Sequence, residues 1–399
     1  GNDDANGGLH RLQDLNRDGV LDTHKQLARY GPPSEHGAHG IRLGPDGWLY
    51  LVHGNYTKAP KNLQNQSLLA PDHPFTNWAE DTLLPRIWDP RGHAHGIFAP
   101  GALLLRTNAD ASQWTRVAGG MRNPYDIAIS DDGEIFTYDA DMEWDLGMPW
   151  YRPPRVLHLT PGAEFGWRAG SAKWPSAYPD SLPPISNTDL SSPTGVELGS
   201  GSRFPAEYQQ ALFLGDWSWG RITVTQLEAE GASYTGKVVP FLQGRGLTVT
   251  DMEFGPDGWL WFIIGGRGTQ SGLYRIRHLQ AGERQPLKVP PLLAQRRQIE
   301  DWMPSTGAKQ SKPTSDGSLS LDDIRKTLTH PDRHLRTAAR LAFERALGDT
   351  NNEAFESVFQ SEELHHDSAF LQALAWVRTN PGLACAELPA RLLQTEELH

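Results

Sequence analysis

The chain has 399 residues, a formal net charge of -11 and a mean hydropathy of -0.53, and 38% of its residues are hydrophobic. No stretch approaches the ~20 consecutive apolar residues of a membrane-spanning helix, so we expect no transmembrane segment. The sequence has no cluster of Lys and Arg residues that could bind a phosphate backbone, which argues against nucleic-acid binding. The single cysteine, Cys385, excludes an intrachain disulfide framework, a Cys-based zinc site and a c-type haem attachment motif.

Glycine and proline are abundant, with 40 and 30 residues, and this excess predicts many turns and short strands. In chain order, residues 8–12 and 22–28 predict the first strand pair. We interpret this pair as the second hairpin of a repeating unit whose first hairpin lies upstream. The chain is therefore expected to begin inside a longer protein.

The loop inside this first hairpin carries oxygen ligands at positions 1, 3, 5 and 9 and a glycine at position 6. The four candidate calcium ligands are Asp14, Asn16, Asp18 and Asp22. This spacing matches the first part of a calcium loop, although Lys25 stands where an EF-hand has its bidentate glutamate. A plain acidic turn is the alternative, because Asn, Asp and Gly favour turns by themselves.

A sequence repeat follows. Residues 43–53 return at 254–264 with Gly-Pro-Asp-Gly-Trp-Leu unchanged, and more loosely at 130–138, each as strand, Asp-Gly turn and strand. A fourth copy pairs 193–198 with 211–216 across a larger turn. Further strand pairs are expected after these hairpins, at 103–106 with 115–117, 156–160 with 165–168, and 222–227 with 233–239. Four strands per unit, repeated radially, predict a β-propeller of about five to six blades, incomplete at its start.

The pattern changes near residue 285, where Pro286, Pro290, Pro291 and Pro304 indicate a linker. Apolar residues at helical spacing follow at 321–328, 331–347, 355–360, 369–378 and 383–393. Helix pairs of this length suggest HEAT-like repeats. We therefore divide the chain into a mainly β propeller (1–284), a linker (285–315) and an α-helical HEAT-like domain (316–399).

Histidines cluster in loops beside the predicted strands: His36, His39, His53, His93 and His95. Loops at propeller strand ends line the mouth of the central channel, where ligands bind. His-x-x-His and His-x-His spacings suit a transition metal, with His93 and His95 as candidate ligands. Hydrogen bonding to the local backbone is the alternative for each histidine taken alone.

A second cluster follows Arg122-Asn123-Pro124 and holds four carboxylates: Asp139, Asp141, Glu143 and Asp145. Four carboxylates in seven residues repel one another unless a cation or an arginine neutralises them or water solvates them. A second calcium ion, an arginine partner and plain solvation all remain open. Nearby aromatic residues, among them Trp150 and Tyr151, are typical of carbohydrate or planar-cofactor sites.

These motifs resemble a known family. His36 precedes Gly44 by eight positions, the spacing of the catalytic histidine in soluble quinoprotein glucose and sorbosone dehydrogenases. The segment 120–124 resembles their Gly-x-Arg-Asn-Pro segment, whose arginine contacts pyrroloquinoline quinone (PQQ). The closer resemblance, on 89–94 and 162–167, is to large membrane-bound dehydrogenases of planctomycetes, in which HEAT-like repeats and often a c-type haem domain follow the propeller.

The resemblance implies a periplasmic or extracellular oxidoreductase that oxidises a sugar or related alcohol or aldehyde with PQQ and calcium. It implies a c-type cytochrome domain or partner as electron acceptor. The implied catalytic residues are His36 as base, Arg122 and Asp139. The implied cofactor contacts are Arg122, His39, Trp150, Tyr151 and Arg267.

Two other functions remain open. A metal-dependent polysaccharide lyase or hydrolase would use the histidines as ligands and the loop 139–145 for acid/base chemistry. A non-catalytic scaffold of propeller and HEAT repeats would bind a glycan or a protein at the same mouth. Metal content and PQQ-dependent dye reduction distinguish these three functions.

Overall fold

The computed structural model describes residues 7–29, 34–57, 97, 101–140, 142–145, 148–151, 153–168, 172–173, 178, 181–280, 282–302, 319–349 and 366–379. These fall into two compact units. The first holds the strands, up to Val289, and the second holds Gly231–Ser233 and the helices from Pro290 onward.

The strands are short and numerous, as the glycine and proline content predicts. In chain order they are β1 (Gly8–Gln13), β2 (Thr23–Arg29), β3 (Ala38–Leu43), β4 (Leu49–His53), β5 (Ala102–Thr107), β6 (Trp114–Met121), β7 (Asn123–Ile129), β8 (Ile135–Ala140), β9 (Met142–Asp145), β10 (Met148–Tyr151), β11 (Arg155–His158), β12 (Ala163–Glu164), β13 (Trp167–Arg168), β14 (Ala172–Lys173), β15 (Ser186–Asn187), β16 (Pro193–Leu198), β17 (Ala211–Asp216), β18 (Arg221–Glu230), β19 (Ser233–Gln243), β20 (Val249–Phe254), β21 (Leu260–Ile264) and β22 (Gly272–Ile276).

Four sheets are built from strands that follow one another in the chain. Their orders are β12-β6-β5-β4-β3, β15-β11-β8-β7, β16-β17-β18-β19 and β20-β21-β22. The leading strands contact one another in succession, β3 with β7, β7 with β16 and β16 with β20. This is how the inner strands of propeller blades adjoin. The prediction of a mainly β fold is confirmed, whereas the number of blades stays a prediction.

The repeated Asp-Gly turns form because a glycine takes the left-handed backbone that closes each hairpin. Gly47, Gly133 and Gly258 have φ values of 81°, 86° and 76°, which cost other residues strain. In the first and last copies the Asp46 and Asp257 carboxylates also accept the backbone N–H two residues on, at 3.1 and 3.2 Å. Local turn chemistry therefore favours these hairpins.

One predicted strand pair is wrong. The strand beside β11 is β15, whereas the expected partner, 165–168, contributes β13 to a separate pair with β14. Phe165 and Trp167 are completely buried, and the Arg155 guanidinium donates to the Phe165 carbonyl at 2.8 Å. Burial of two aromatic rings outweighs the local strand pattern here.

The second unit is helical, with α2 (Leu293–Glu300), α3 (Leu321–Thr327), α4 (Arg333–Asp349) and α5 (His366–Thr379); the first unit has one short helix, α1 (Ala206–Gln209). Ser320 begins α3 with a capping box to Asp323. Apolar side chains of α2 to α5 share one core, including Ile299, Phe343 and Trp376.

Helix α2 lies inside the stretch 285–315 that the prolines assign to a linker, because Leu293 and Ile299 bury their side chains in that core. Two predicted helices, 355–360 and 383–393, lie outside the described residues. The HEAT-like repeats and the domain boundaries stay predictions. Among the described helices, none is both long and apolar enough to cross a membrane.

Candidate functional site

His36 is buried just before β3. Its Nδ1 lies 2.5 Å from the Asn55 side-chain oxygen, and its ring stacks on Tyr56 at 4.4 Å between centroids. Because an amide oxygen only accepts, Nδ1 carries the ring proton and the lone pair lies on Nε2. A histidine in this tautomer is set to take up a proton at Nε2.

Asn55 joins two sequence-distant parts of this site. It follows β4, its backbone N–H donates to the Arg122 carbonyl at 2.9 Å, and its side chain holds His36. Only 4% of the residue is exposed, yet its Nδ2 has no hydrogen-bond partner among the described residues. A buried amide donor without a partner costs free energy, so this group points to a ligand.

Two further histidines lie beside this pair and are held neutral. The His39 Nε2 donates to the Asn123 side-chain oxygen at 2.9 Å; burial lowers its pKa, and that hydrogen bond only partly offsets the effect. Complete burial, together with nearby His39, lowers the pKa of His53 to about 3. Neither imidazole therefore adds positive charge at neutral pH.

Arg122 is buried between β6 and β7. Its backbone N–H and that of Asn123 donate to the Asp139 carboxylate, at 3.1 and 2.9 Å. Asp139 is fully buried and also lies 3.4 Å from the Arg155 guanidinium. Its oxygens are thus engaged in holding the chain around Arg122.

The next sheet repeats this arrangement. Asp216 is the last residue of β17, and Asp139 is the last but one of β8. Asp216 accepts the Ser192 backbone N–H at 2.9 Å. It also pairs with Arg221 of the following strand at 2.7 Å. A carboxylate at this position is therefore a feature of the blade architecture.

Arg267 is far from His36 in sequence, but it reaches the same loop region. Its guanidinium is 4.0 Å from the carboxylate of Glu35, the neighbour of His36, and 5.4 Å from the Trp217 ring centre. Its side chain is 78% exposed. Asn55 thus links His36 to Arg122, and Arg267 contacts Glu35, the residue before His36.

The loop that the spacing assigns to calcium is closed by its own hydrogen bonds. Asp14 accepts the N–H groups of Arg17 and Gly19 at 2.6 and 2.8 Å, and Asp22 accepts that of Leu15 at 2.7 Å. Asp18 accepts that of Val20 at 2.8 Å. In the part of the chain that the structure describes, no three His, Cys, Asp or Glu side chains are grouped to hold a metal.

The predicted roles of all these site residues stay predictions. His93, His95 and Asp141 lie outside the described residues. The structure assigns four more to β9 and β10 by backbone alone: Glu143, Asp145, Trp150 and Tyr151.

Sequence reasoning missed Asn55 as a site residue. The signal was present, because Asn55 comes two residues after the repeated motif, where the other copy has Gly266.

No family model and no curated protein matches the chain. Among solved structures, it is similar to an oxidoreductase described as a glucose dehydrogenase from Thermus thermophilus, with 19% identity over 66% of this chain and 72% of that one and a TM-score of 0.45. The PQQ-bound aldose sugar dehydrogenase of Streptomyces coelicolor is 16% identical over 67% of this chain and 70% of that one, with a TM-score of 0.43. A further glucose dehydrogenase is 19% identical over 69% and 74%, with a TM-score of 0.47. None of these assigns a role to a residue of this chain.

Proposed function

We propose that this protein is a PQQ-dependent oxidoreductase that removes a hydride from a sugar or a related alcohol or aldehyde. The observation that carries the proposal is the buried set of His36, Asn55 and Arg122, with an amide donor that has no partner in the described chain. The resemblance of the motifs around His36 and Arg122 to quinoprotein sugar dehydrogenases supports the same conclusion.

The donor chemistry of these residues fits PQQ, a planar quinone that carries carboxylates. An amide N–H and a buried guanidinium suit an oxygen that gains negative charge, because such donors act strongly where water is excluded. Asn55 and Arg122 would hold the cofactor at its quinone or carboxylate oxygens, with Arg267 at the exposed edge. PQQ, when bound, supplies the acceptor of the hydride and its two electrons.

His36 acts on the substrate as general base in this proposal. Its Nε2 takes the proton of the sugar hydroxyl while the hydrogen bond from Nδ1 to Asn55 fixes the ring and steadies the imidazolium that results. His39 and His53 stay neutral, so they do not repel that positive charge. Asp139 is a positioning residue that holds the backbone of Arg122 and Asn123.

We further propose that calcium binds Asp14, Asn16, Asp18 and Asp22 and stabilises the β1–β2 hairpin. A ligand that binds only the folded state raises stability by mass action. Exhaustive chelation should therefore lower Tm, and Asp18→Ala should remove that effect. An unchanged Tm after chelation contradicts calcium at this loop.

The electrons would pass to a c-type cytochrome domain or partner, and the protein would work in the periplasm or outside the cell. These two proposals rest on the sequence resemblance. Reduction of added cytochrome c by PQQ-loaded protein, compared with reduction of a dye, tests the first. Signal-peptide-dependent export of the full gene product tests the second.

The decisive experiment is PQQ titration and sugar-dependent dye reduction by wild type and three variants. His36→Gln should lower kcat by about 10²- to 10⁴-fold with little change in PQQ affinity, and Arg122→Lys should mainly weaken PQQ binding. His278→Gln, at a partly exposed histidine, is the matched control and should change neither.

Equal and undetectable PQQ binding in all four proteins contradicts the proposal and favours a non-catalytic scaffold. Zinc, iron or copper bound in stoichiometric amounts favours the metal-dependent lyase or hydrolase instead.

A further inference from the structure

A cleft of about 410 Å³ opens in the first unit between the β17–β18 turn and the loop that joins β19 to β20. It is lined by 217–220 and 243–248. This volume lies within the range of small-molecule sites. The oxidation proposed above gives these residues no role.

Trp219 forms an open aromatic wall of this cleft. Its side chain is 57% exposed, which is high for a residue that is usually well buried. Its indole N–H donates to the Leu190 carbonyl at 2.7 Å, so the ring is held in one orientation. A fixed ring with an accessible face is a platform on which the apolar face of a sugar can stack.

The cleft also presents a single charge, Arg245. No ion pair or hydrogen bond engages its side chain in the described chain. Two nearby carboxylates, Asp189 and Asp216, share Arg221 at 2.7 Å each, so neither of them pairs with Arg245. In a protein with a net charge of -11, this leaves an exposed guanidinium available for a carboxylate.

Glycines keep this part of the cleft open. Gly246 has φ +71°, and a Cβ built on it would meet nothing within 4 Å; one on Gly244 would meet only Leu247, at 3.7 Å. The exposed Gln243 adds an amide that can bond hydroxyl groups. The lining thus combines a stacking face, a cation and an amide, which together suit an acidic sugar.

The cleft adjoins the site described above. Trp217 lines the cleft and lies under Arg267, and Arg267 reaches Glu35, the residue before His36. A glycan seated in the cleft would therefore extend from the loop region in which His36 lies.

We propose that this cleft binds a carboxylate-bearing sugar unit, a uronate, with its ring on Trp219 and its carboxylate on Arg245. If the proposed function holds, an acidic glycan is also the substrate class of the oxidoreductase. Uronate binding in the cleft does not depend on that function.

Calorimetric titration with tetragalacturonate, and with maltotetraose as the neutral match, tests the binding. Wild type should bind the acidic tetrasaccharide at least 10-fold more tightly than the neutral one. Trp219→Ala should weaken both by 10-fold or more, and Arg245→Gln should remove the preference only. Arg284→Gln, at another exposed arginine, is the control and should leave both affinities unchanged.

Equal affinities for the two tetrasaccharides, or an unchanged affinity in Trp219→Ala, overturns the inference. A third outcome also overturns it: neither tetrasaccharide binds, and both cleft variants lose PQQ binding. The cleft would then be part of the cofactor site. Since calorimetry needs no turnover, tight uronate binding without PQQ-dependent dye reduction supports the cleft and contradicts the proposed oxidation.

Discussion

The two most similar copies of the repeat, at 43–53 and 254–264, share their turns and differ at their far ends. In both, the backbone N–H of the first glycine closes the turn by donating to a tryptophan carbonyl, Gly44 to Trp48 at 2.8 Å and Gly255 to Trp259 at 3.0 Å. An arginine from the next strand then pairs with the turn aspartate. At the turn, the two copies are structurally equivalent.

The far ends have diverged. After β4 the chain continues as Gly54 and Asn55 into the buried histidine site, whereas β21 is followed by Gly265 and Gly266 and the exposed Arg267. Identical turns thus serve as scaffold, and the chemistry lies where one copy departs from the other. The predictions that follow test this division.

The largest effect is expected from the carboxylates that recur between sheets. Asp139→Asn and Asp216→Asn should each lower the free energy of unfolding by about 3 kcal/mol, because each leaves a paired arginine and backbone N–H groups without their anion. Urea unfolding measures this, with the exposed turn residue Asp131→Asn as control. A stable Asp139→Asn variant that has lost only kcat would instead make Asp139 catalytic.

A somewhat smaller effect is expected beside the point of divergence, at a glycine that both copies keep. A Cβ on Gly54 would collide with the Asn123 side-chain oxygen and lie 2.6 Å from the His36 carbonyl. Gly54→Ala should cost about 1–3 kcal/mol and displace His36, with loss of PQQ-dependent turnover. Gly244→Ala, which has space for a methyl group, is the control for the loss of stability. Full activity in Gly54→Ala would show that the His36 loop tolerates a shift.

The strand before the turn also differs between copies, since Arg42 in the first corresponds to Glu253 in the last. Both act on Glu197, and Arg42 lies 3.3 Å from it. Burial, opposed by Arg42 and assisted by Asp126 and Glu253, raises the pKa of Glu197 to about 8 from 4.5. The folded protein therefore keeps a proton that the unfolded chain releases between these values.

Stability should accordingly fall as pH rises from about 4.5 through 8. Glu197→Gln should flatten this dependence and raise Tm at pH 9. Glu253→Gln should end the fall at a lower pH than in wild type, because one repelling charge is gone and the pKa of Glu197 drops. Thermal melts from pH 4 to 9 measure both. An identical profile in wild type and Glu197→Gln would assign the titration to another group.

The features that the sequence predicts well are those set by local chemistry. Asp-Gly turns need only a glycine and an aspartate in place, so the hairpins around 44–47 and 255–258 could be predicted. The partner of β11 could not, because burial of Phe165 and Trp167 decides it and no local pattern records that burial. The contact between Asn55 and Arg122 joins residues far apart in the chain, and a single sequence contains no signal of such a pairing.

The smallest effect is expected where the two copies agree. Arg106 pairs with Asp46 at 3.2 Å and lies over the Trp48 ring. Arg275 pairs with Asp257 at 3.0 Å and lies over the Trp261 ring of β21. Exposed ion pairs contribute little and are screened by salt. Arg106→Gln and Arg275→Gln should each lower Tm by no more than about 3 °C.

In 1 M salt the charged part of both losses should shrink, and Lys at either position should restore part of the stability. Because the two turns have the same role, the two losses should also match. A loss at one turn several times that at the other would mean that this turn has a second role, and the equivalence of the two scaffolds would fail.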